Sequence, residues 1–514
     1  MYTLGDIPRK GRTQYRDNMA LVFAGRKITY GELDERVNRL AQALLALGLQ
    51  RGGRVTILAE NTFKYMEVYF AVAKLGASVT PLNFRLSDKE LEHIAHDCEA
   101  TFFFAGDGYE ERSLGFQPTL PLIQHWIALD NLKEGFLVYE DLLRQTSDME
   151  PPVEVDENDL AILMYTGGTT GFPKGVMLSH RNIMTSLYGM IIGFSFNNQD
   201  TTCFILPLFH IALWPVLCLL MVGGKSVILR RPDVGEILRS IDQERCTHIN
   251  LVPTILTWLL DDPRIDAHDL SSLRLIGYSG SPIAIEVLKR CIQKFGNIFT
   301  QGYGLTEAAP MVTVLFKEDH VVEGPRVKLL SSVGKVGLPV EARIVDEWDR
   351  PLKPGETGEV VVRGKNIMMG YWKNPELTAA TLRGGWLHTG DLGTIDEEGY
   401  IYLLDRKADM IITGGENVYP KETEDALYEH PAVRECAVVA APDDRWGERV
   451  QAVVVLKPGF IVAEAELIQH CKVRLAGYKC PKSIAFWEEL PKTPVGKLLR
   501  REVRKHFVKS AEQD

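Results

Sequence analysis

Ten consecutive positions, Thr166 to Gly175, hold four glycines, three threonines and one lysine, Lys174. Gly167, Gly168 and Gly171 let backbone N–H groups approach an oxyanion closely. Thr166, Thr169 and Thr170 add hydroxyl donors, and Lys174 adds a mobile positive charge. That chemistry suits a polyphosphate. The apolar run Leu160–Tyr165 leads in as a short buried strand, and the chain beyond Val176 soon reads as helix. The loop is therefore expected between a strand and a helix. It differs from the common nucleoside-triphosphate loop, which ends in Gly-Lys-Ser/Thr, because Pro173 precedes Lys174 and Gly175 follows it.

Four further clusters carry candidate chemistry. In Gln301-Gly302-Tyr303-Gly304-Leu305-Thr306-Glu307, after a strand-like run at 297–300, the aromatic could stack on a base. Thr306 could contact phosphate and Glu307 could hold Mg²⁺; Glu307 could equally open a helix. Asp391, at the end of Trp386-Leu-His-Thr-Gly-Asp391, could take a ribose diol or sit in a plain turn. Arg406 could pair with ribose or phosphate, or form a surface ion pair. Lys497 stands in a Pro- and Gly-framed loop, where a lysine by itself would be solvated.

The elements that must position these residues alternate between helix and strand. Leu33, Val37, Leu40, Ala41, Leu44 and Leu47 recur at helical spacing and predict an amphipathic helix stopping near Gly48. Strands are expected at 54–58, 225–229, 247–252 and 273–276, and 70–81 reads as helix, Gly cap and strand. Such alternation implies α/β layers with mostly parallel sheets. Beyond about residue 330 the turn-rich, alternating stretch 333–362 predicts an antiparallel, barrel-like β-module. A small α+β unit should follow, with a helix at 422–430 and strands at 435–441 and 451–456. The division expected is 1–405, a hinge at 406–409, and 410–514.

The chain has 514 residues, 45% hydrophobic and 25% charged, with a net charge of −10. That balance argues against broad nucleic-acid binding while allowing local basic patches. Eight scattered cysteines lack metal-ligand spacing and read as reduced residues of a cytosolic protein. No apolar leader is visible at the start. Thr201–Gly224 contains no Asp, Glu, Lys or Arg and is long enough to span a bilayer, but Pro207, His210 and Pro215 interrupt it. A buried core or apolar ligand pocket is the expectation there, not a transporter.

Taken in order, the loop at 165–176, Tyr303-Gly-Leu-Thr-Glu307, Thr389-Gly-Asp391, Asp405-Arg406, Gly414-Gly415-Glu-Asn417 and Pro494-x-Gly-Lys497 resemble the motif series of the adenylate-forming superfamily. This superfamily includes acyl- and aryl-CoA synthetases, firefly-type luciferases and peptide-synthetase adenylation domains. The resemblance runs from Thr29-Tyr-Gly-Glu-Leu to Lys497. It implies that ATP and a carboxylic acid give acyl-AMP and pyrophosphate, after which a thiol takes the acyl group. It implies that Thr166 and Glu307 hold Mg²⁺, that Gly167 to Lys174 grip the β- and γ-phosphates, and that Tyr303 lies against adenine with Gln301, Gly302, Gly304 and Thr306 around it. Asp391 and Arg406 would hold ribose, and Lys497 would bridge the carboxylate and α-phosphate. After adenylation the C-terminal unit would rotate, withdrawing Lys497 and presenting Gly414 and Gly415 to the thiol. The pivot usually carries Asp or Lys; here Ala408 stands there.

Amino-acid-activating relatives place an Asp in the segment matching 207–215, and this chain has none, so an apolar wall faces the acid. A fatty or an aromatic acid both fit. His210 falls at a gating position or is a core histidine, with Trp214, Tyr278, Gly280 and Ser281 completing the pocket beside adenine. The short stretch after Lys497 leaves CoA as the expected acceptor, its phosphates and adenine meeting Arg445, Trp446, Tyr478, Lys479 or Lys482. Loading of a separate carrier, luciferase-like oxidation and non-catalytic nucleotide binding are the alternatives. The resemblance leaves room for a homodimer and for peripheral membrane contact.

Overall fold

The computed structural model describes residues 1–166, 173–280, 283, 285–406, 409–413, 416–443, 445–492 and 498–511, with 405, 406 and 509–511 as backbone only. Two large sheets, of nine and eight strands among the described residues, form the N-terminal body. Each is parallel through its centre; the nine-stranded sheet is antiparallel at both edges and the eight-stranded sheet at one. The expected α/β layering is present. The helix expected around 33–47 spans Tyr30–Ala46 with Thr29 as N-cap, and strand Arg54–Leu58 lies where predicted. A four-stranded antiparallel sheet of Val340–Val345, Gly358–Gly364, Leu387–Ile395 and Ile401–Arg406 forms the β-module. A five-stranded sheet with helices Pro420–Tyr428, Glu464–Lys472 and Arg500–Ala511 forms the C-terminal unit.

The apolar cores separate along the chain. One contiguous core runs from Leu4 to Ile401, and distinct clusters collect Ile411 to Ile484 and Ala437 to Phe507. Between them, the Lys421 ammonium donates to the carbonyl of Leu403 at 3.1 Å.

The apolar stretch 201–224 breaks into strand Thr201–Phe204, a connecting segment and the nine-residue helix Trp214–Val222. Among the described residues no helix is long and apolar enough to cross a membrane. Pro215 sits in the helix's first turn, where its missing N–H costs nothing, and Gly223 closes it at φ 86°.

One carboxylate pins the amino ends of the central strands. Asp200, 2% exposed, accepts from the Thr247 hydroxyl at 2.8 Å, Arg274 Nε at 2.7 Å and the Asn197 N–H at 2.9 Å. Its own carbonyl accepts the Lys225 N–H. Burial would raise its pKa, but Arg274 and the donated hydrogen bonds outweigh burial and hold the carboxyl below its ordinary value. A depressed carboxylate stabilises the fold above its unfolded pKa, and that contribution disappears as pH falls through the folded value. Asp200→Asn should therefore cost about 2 kcal/mol at pH 7. Urea midpoints at pH 7 and near pH 3 measure this: the penalty should shrink at the acid end, and an equal penalty at both would refute the assignment.

Candidate active site

The first correction concerns the glycine–threonine loop. It joins two antiparallel strands, Leu160–Thr166 and Lys174–Ser179, not a strand and a helix. The helix begins only at His180, because Ser179 and Asn182 form a reciprocal capping box that sets its start. Thr166 and Lys174 stand directly opposite each other in the ladder, so the loop leaves and returns at one point on the sheet end. Gly167, Gly168, Thr169, Thr170 and Gly171 lie outside the described residues, as do Ser281, Ala408, Gly414, Gly415 and Lys497.

The second correction concerns the Gln301 motif. The strand runs from Phe299 to Gly304 rather than ending at Thr300, so Gln301, Gly302 and Tyr303 belong to it. In parallel pairing Tyr278 faces Gln301 and Ser279 faces Gly302, which brings Gly280 beside the motif. These are carboxyl ends of adjacent parallel strands, where open α/β sheets bind ligands. Gly280 has φ +88°, a conformation side chains disfavour. At Gly304 a Cβ would come within 1.7 Å of the Pro310 carbonyl oxygen, so only glycine fits.

Glu307 follows in a one-turn helix, Thr306–Ala308, with Thr306 buried. Its Oε1 accepts from the Tyr371 hydroxyl at 2.8 Å, and its carbonyl accepts the Met368 N–H at 2.8 Å. Lys174 Nζ lies 5.7 Å from the centre of the Tyr371 ring, within cation–π range. One tyrosine thus connects the lysine of the first motif with the carboxylate of the second. Burial, and then the Glu307 charge, push Tyr371 above its ordinary pKa, so it stays a donor. Tyr371 escaped the sequence reading, since a single aromatic between Gly370 and Trp372 carries no motif.

Asp391 lies inside strand Leu387–Ile395 rather than at its end. Its Oδ2 accepts from the Tyr303 hydroxyl at 2.6 Å, and its N–H donates to the Thr389 hydroxyl at 3.1 Å. The Glu359 carboxylate receives the Gly390 N–H at 3.1 Å and steadies the turn. Across the ladder, Asp391 pairs with Arg406. The candidate base and ribose residues are therefore already in contact.

The segment proposed to wall the acid pocket is mainly apolar. Phe209 packs edge-on against Phe84 at 5.3 Å, and Asn61 ties down the carbonyl of Leu206 and the N–H of Leu208. His210 Nδ1 accepts from the Ala212 N–H at 3.3 Å, with the side chain partly exposed. Trp214 and Tyr278 are fully buried, so they form packed wall behind the pocket instead of open lining.

In the C-terminal unit, Thr413 pairs with Gly447, which sets the strand before Gly414 beside the Arg445–Trp446 turn. The Arg445 guanidinium lies 4.7 Å above the exposed Trp446 ring. Lys482 donates its N–H to Val450 and its ammonium to Gly477, which brings exposed Tyr478 to the same sheet end. Trp446 and Tyr478 are thus exposed aromatics, each with a cation near its ring.

Magnesium fits the donor set. Glu307 and Thr166 offer only oxygen, and among the described residues no group of three or more His, Cys, Asp or Glu side chains is arranged to hold a metal ion by itself. One carboxylate with substrate phosphates and water is how Mg²⁺ is usually held.

The model of the AMP-binding enzyme family matches residues 9–372, and that of the AMP-binding enzyme C-terminal domain matches 422–497. The chain is 39% identical over 511 residues to a feruloyl-CoA synthase of Amycolatopsis sp, covering 98% of this chain and 99% of that protein. It is 34% identical to a long-chain-fatty-acid–CoA ligase of Bacillus subtilis, covering 99% and 96%. The structure of ATP-bound MatB from Rhodopseudomonas palustris superposes with a TM-score of 0.90 at 30% identity, covering 98% and 99%. Family match, full-length relatives and shared fold agree: the chain belongs to the AMP-binding, adenylate-forming enzyme family.

Proposed function

We propose that this chain is an ATP-dependent acyl-CoA synthetase that activates a fatty or aromatic acid as its adenylate and transfers the acyl group to CoA. The observation that carries the reading is the Lys174–Tyr371–Glu307 connection beside the Tyr303–Asp391 hydrogen bond. These contacts support a reading in which Lys174 supplies a cation, Glu307 an oxygen ligand, Tyr303 an aromatic face and Asp391 a diol acceptor. The full-length feruloyl- and long-chain-fatty-acid relatives support the same reaction class.

The chemistry follows from charge. A carboxylate oxygen attacks the α-phosphorus while the bond to the pyrophosphate oxygen breaks, so one anion must approach another. Lys174 meets the departing pyrophosphate, and Lys497 neutralises the carboxylate and α-phosphate. Mg²⁺ held at Glu307 and Thr166 would offset further phosphate charge. Tyr303 and Asp391 keep the nucleoside fixed. In the second half-reaction the thiol sulfur attacks the acyl carbon and AMP leaves. The hinge at 406–409 lets the C-terminal unit exchange Lys497 for the face bearing Gly414, Gly415, Arg445, Trp446, Tyr478 and Lys482. The 207–215 segment carries no Asp or Glu to pair with an ammonium, which supports an acid with no charge beyond its carboxylate. Eight buried free cysteines accord with a reducing, cytoplasmic setting.

Incubation with ATP, CoA and a panel of fatty and hydroxycinnamic-type acids should yield pyrophosphate, AMP and an acyl-CoA. AMP without acyl-CoA from any acid would refute the acceptor. Lys497→Ala should lose most adenylation while retaining thioesterification of supplied acyl-AMP; equal loss in both halves would sink the two-conformation account. Tyr371→Phe should raise the Mg²⁺ concentration for half-maximal activity about tenfold, as loss of an outer partner usually does. A Mg²⁺ titration showing no change would remove Tyr371 from that role.

A further inference from the structure

Beneath the strand that carries Gln301 runs a line of polar groups that the reaction above does not use. Tyr278 is fully buried and His320 is 1% exposed. Tyr278 Oη lies 3.0 Å from His320 Nε2 and 3.4 Å from the Gln301 amide oxygen. His320 Nδ1 lies 2.8 Å from the Phe316 carbonyl oxygen, and the Tyr278 and His320 rings meet edge-on at 5.7 Å.

Counting protons gives this line a direction. A carbonyl oxygen only accepts, so His320 Nδ1 must carry the ring hydrogen and donate to Phe316. A bare nitrogen there would set two lone pairs against each other in a dry site. Burial pushes His320 down to about 4, so the ring holds a single proton near neutrality. Nε2 is then an acceptor and takes the only hydrogen of the Tyr278 hydroxyl. Toward Gln301 the Tyr278 oxygen has nothing left to donate. Two opposed oxygens repel, whereas a half-turn of the amide places its NH₂ on Tyr278 and swings its carbonyl to the other side.

We infer that Tyr278 and His320 are positioning residues that hold the Gln301 amide with its oxygen toward the nucleobase, so the site favours a purine bearing a donor at position 6. The inference rests on the reading that Gln301 and Tyr303 border the base; as alternate residues of one strand they share a face. The 6-amino group of adenine donates to that oxygen. A 6-oxo purine presents a second acceptor and is rejected.

The test compares kcat/KM for ATP with that for inosine triphosphate, read as pyrophosphate release at saturating acid. Tyr278→Phe keeps the ring and its packing but frees the amide to turn. The preference for ATP should fall about tenfold, the effect of one unpaired polar contact, with KM for CoA unchanged. His320→Leu should behave alike, while His320→Gln, which keeps an acceptor, should restore the preference. An unaltered preference in Tyr278→Phe, with Gln301→Ala abolishing it, would overturn the positioning role alone. An unaltered preference in Gln301→Ala would overturn the placement of the base at Gln301, and the positioning role with it. Thermal melts of each variant identify any that fail to fold.

Discussion

One short segment, 365–372, holds the two large sheets together at the site. The Met368 N–H donates to Glu307, the Met369 N–H to Met177 and the Trp372 N–H to Gly175, at 2.8, 2.9 and 2.7 Å. Asn182 reaches the carbonyls of Lys365 and Ile367, and Asn366 reaches that of Ala308. Within the core that both sheets share, these bonds help fix Lys174, on one sheet, relative to Glu307, beyond the end of the other. Backbone donors suit this task, because each is already committed to a fixed direction and loses little entropy on pairing. The Tyr371 side chain then adds a polar connection across the same seam.

Much of this was legible in the sequence where the signal is local. Strand 54–58, the helix ending near Gly48 and the turn-rich β-module follow from periodicity and turn residues, which depend on near neighbours. The motif order pointed to the family by resemblance, while the physical chemistry of each cluster taken alone left its alternatives open. What escaped was set by distant partners. Whether 174–179 is strand or helix start is decided by pairing with 160–166 and by the Ser179 cap, and the apolar content of the segment allows either. Tyr371 and Asp200 matter because of Glu307, Lys174, Arg274 and Thr247, all far away in sequence. Trp214 and Tyr278 read as pocket lining because they are aromatic beside a motif, yet burial makes them wall.

The antiparallel pair 387–395 and 401–406 joins two parts of the proposed cycle. Asp391, the proposed ribose ligand, stands opposite Arg406, the first residue of the proposed hinge. Tyr303 connects the same carboxylate to the base-binding strand. The four-stranded sheet can stay rigid while the exit beyond 406 turns, since its ladder hydrogen bonds lie on the nucleotide side of that point. A nucleoside held by Tyr303 and Asp391 therefore keeps its place through both half-reactions, and only the groups that change role need to move. This explains, within the proposal, why the catalytic lysine is carried on the far unit while the phosphate-gripping lysine belongs to the fixed seam. The lysine whose charge brings the two anions together would occupy the thiol's path to the acyl carbon if it stayed. Placing that charge on a rotating unit removes it without loosening the nucleotide.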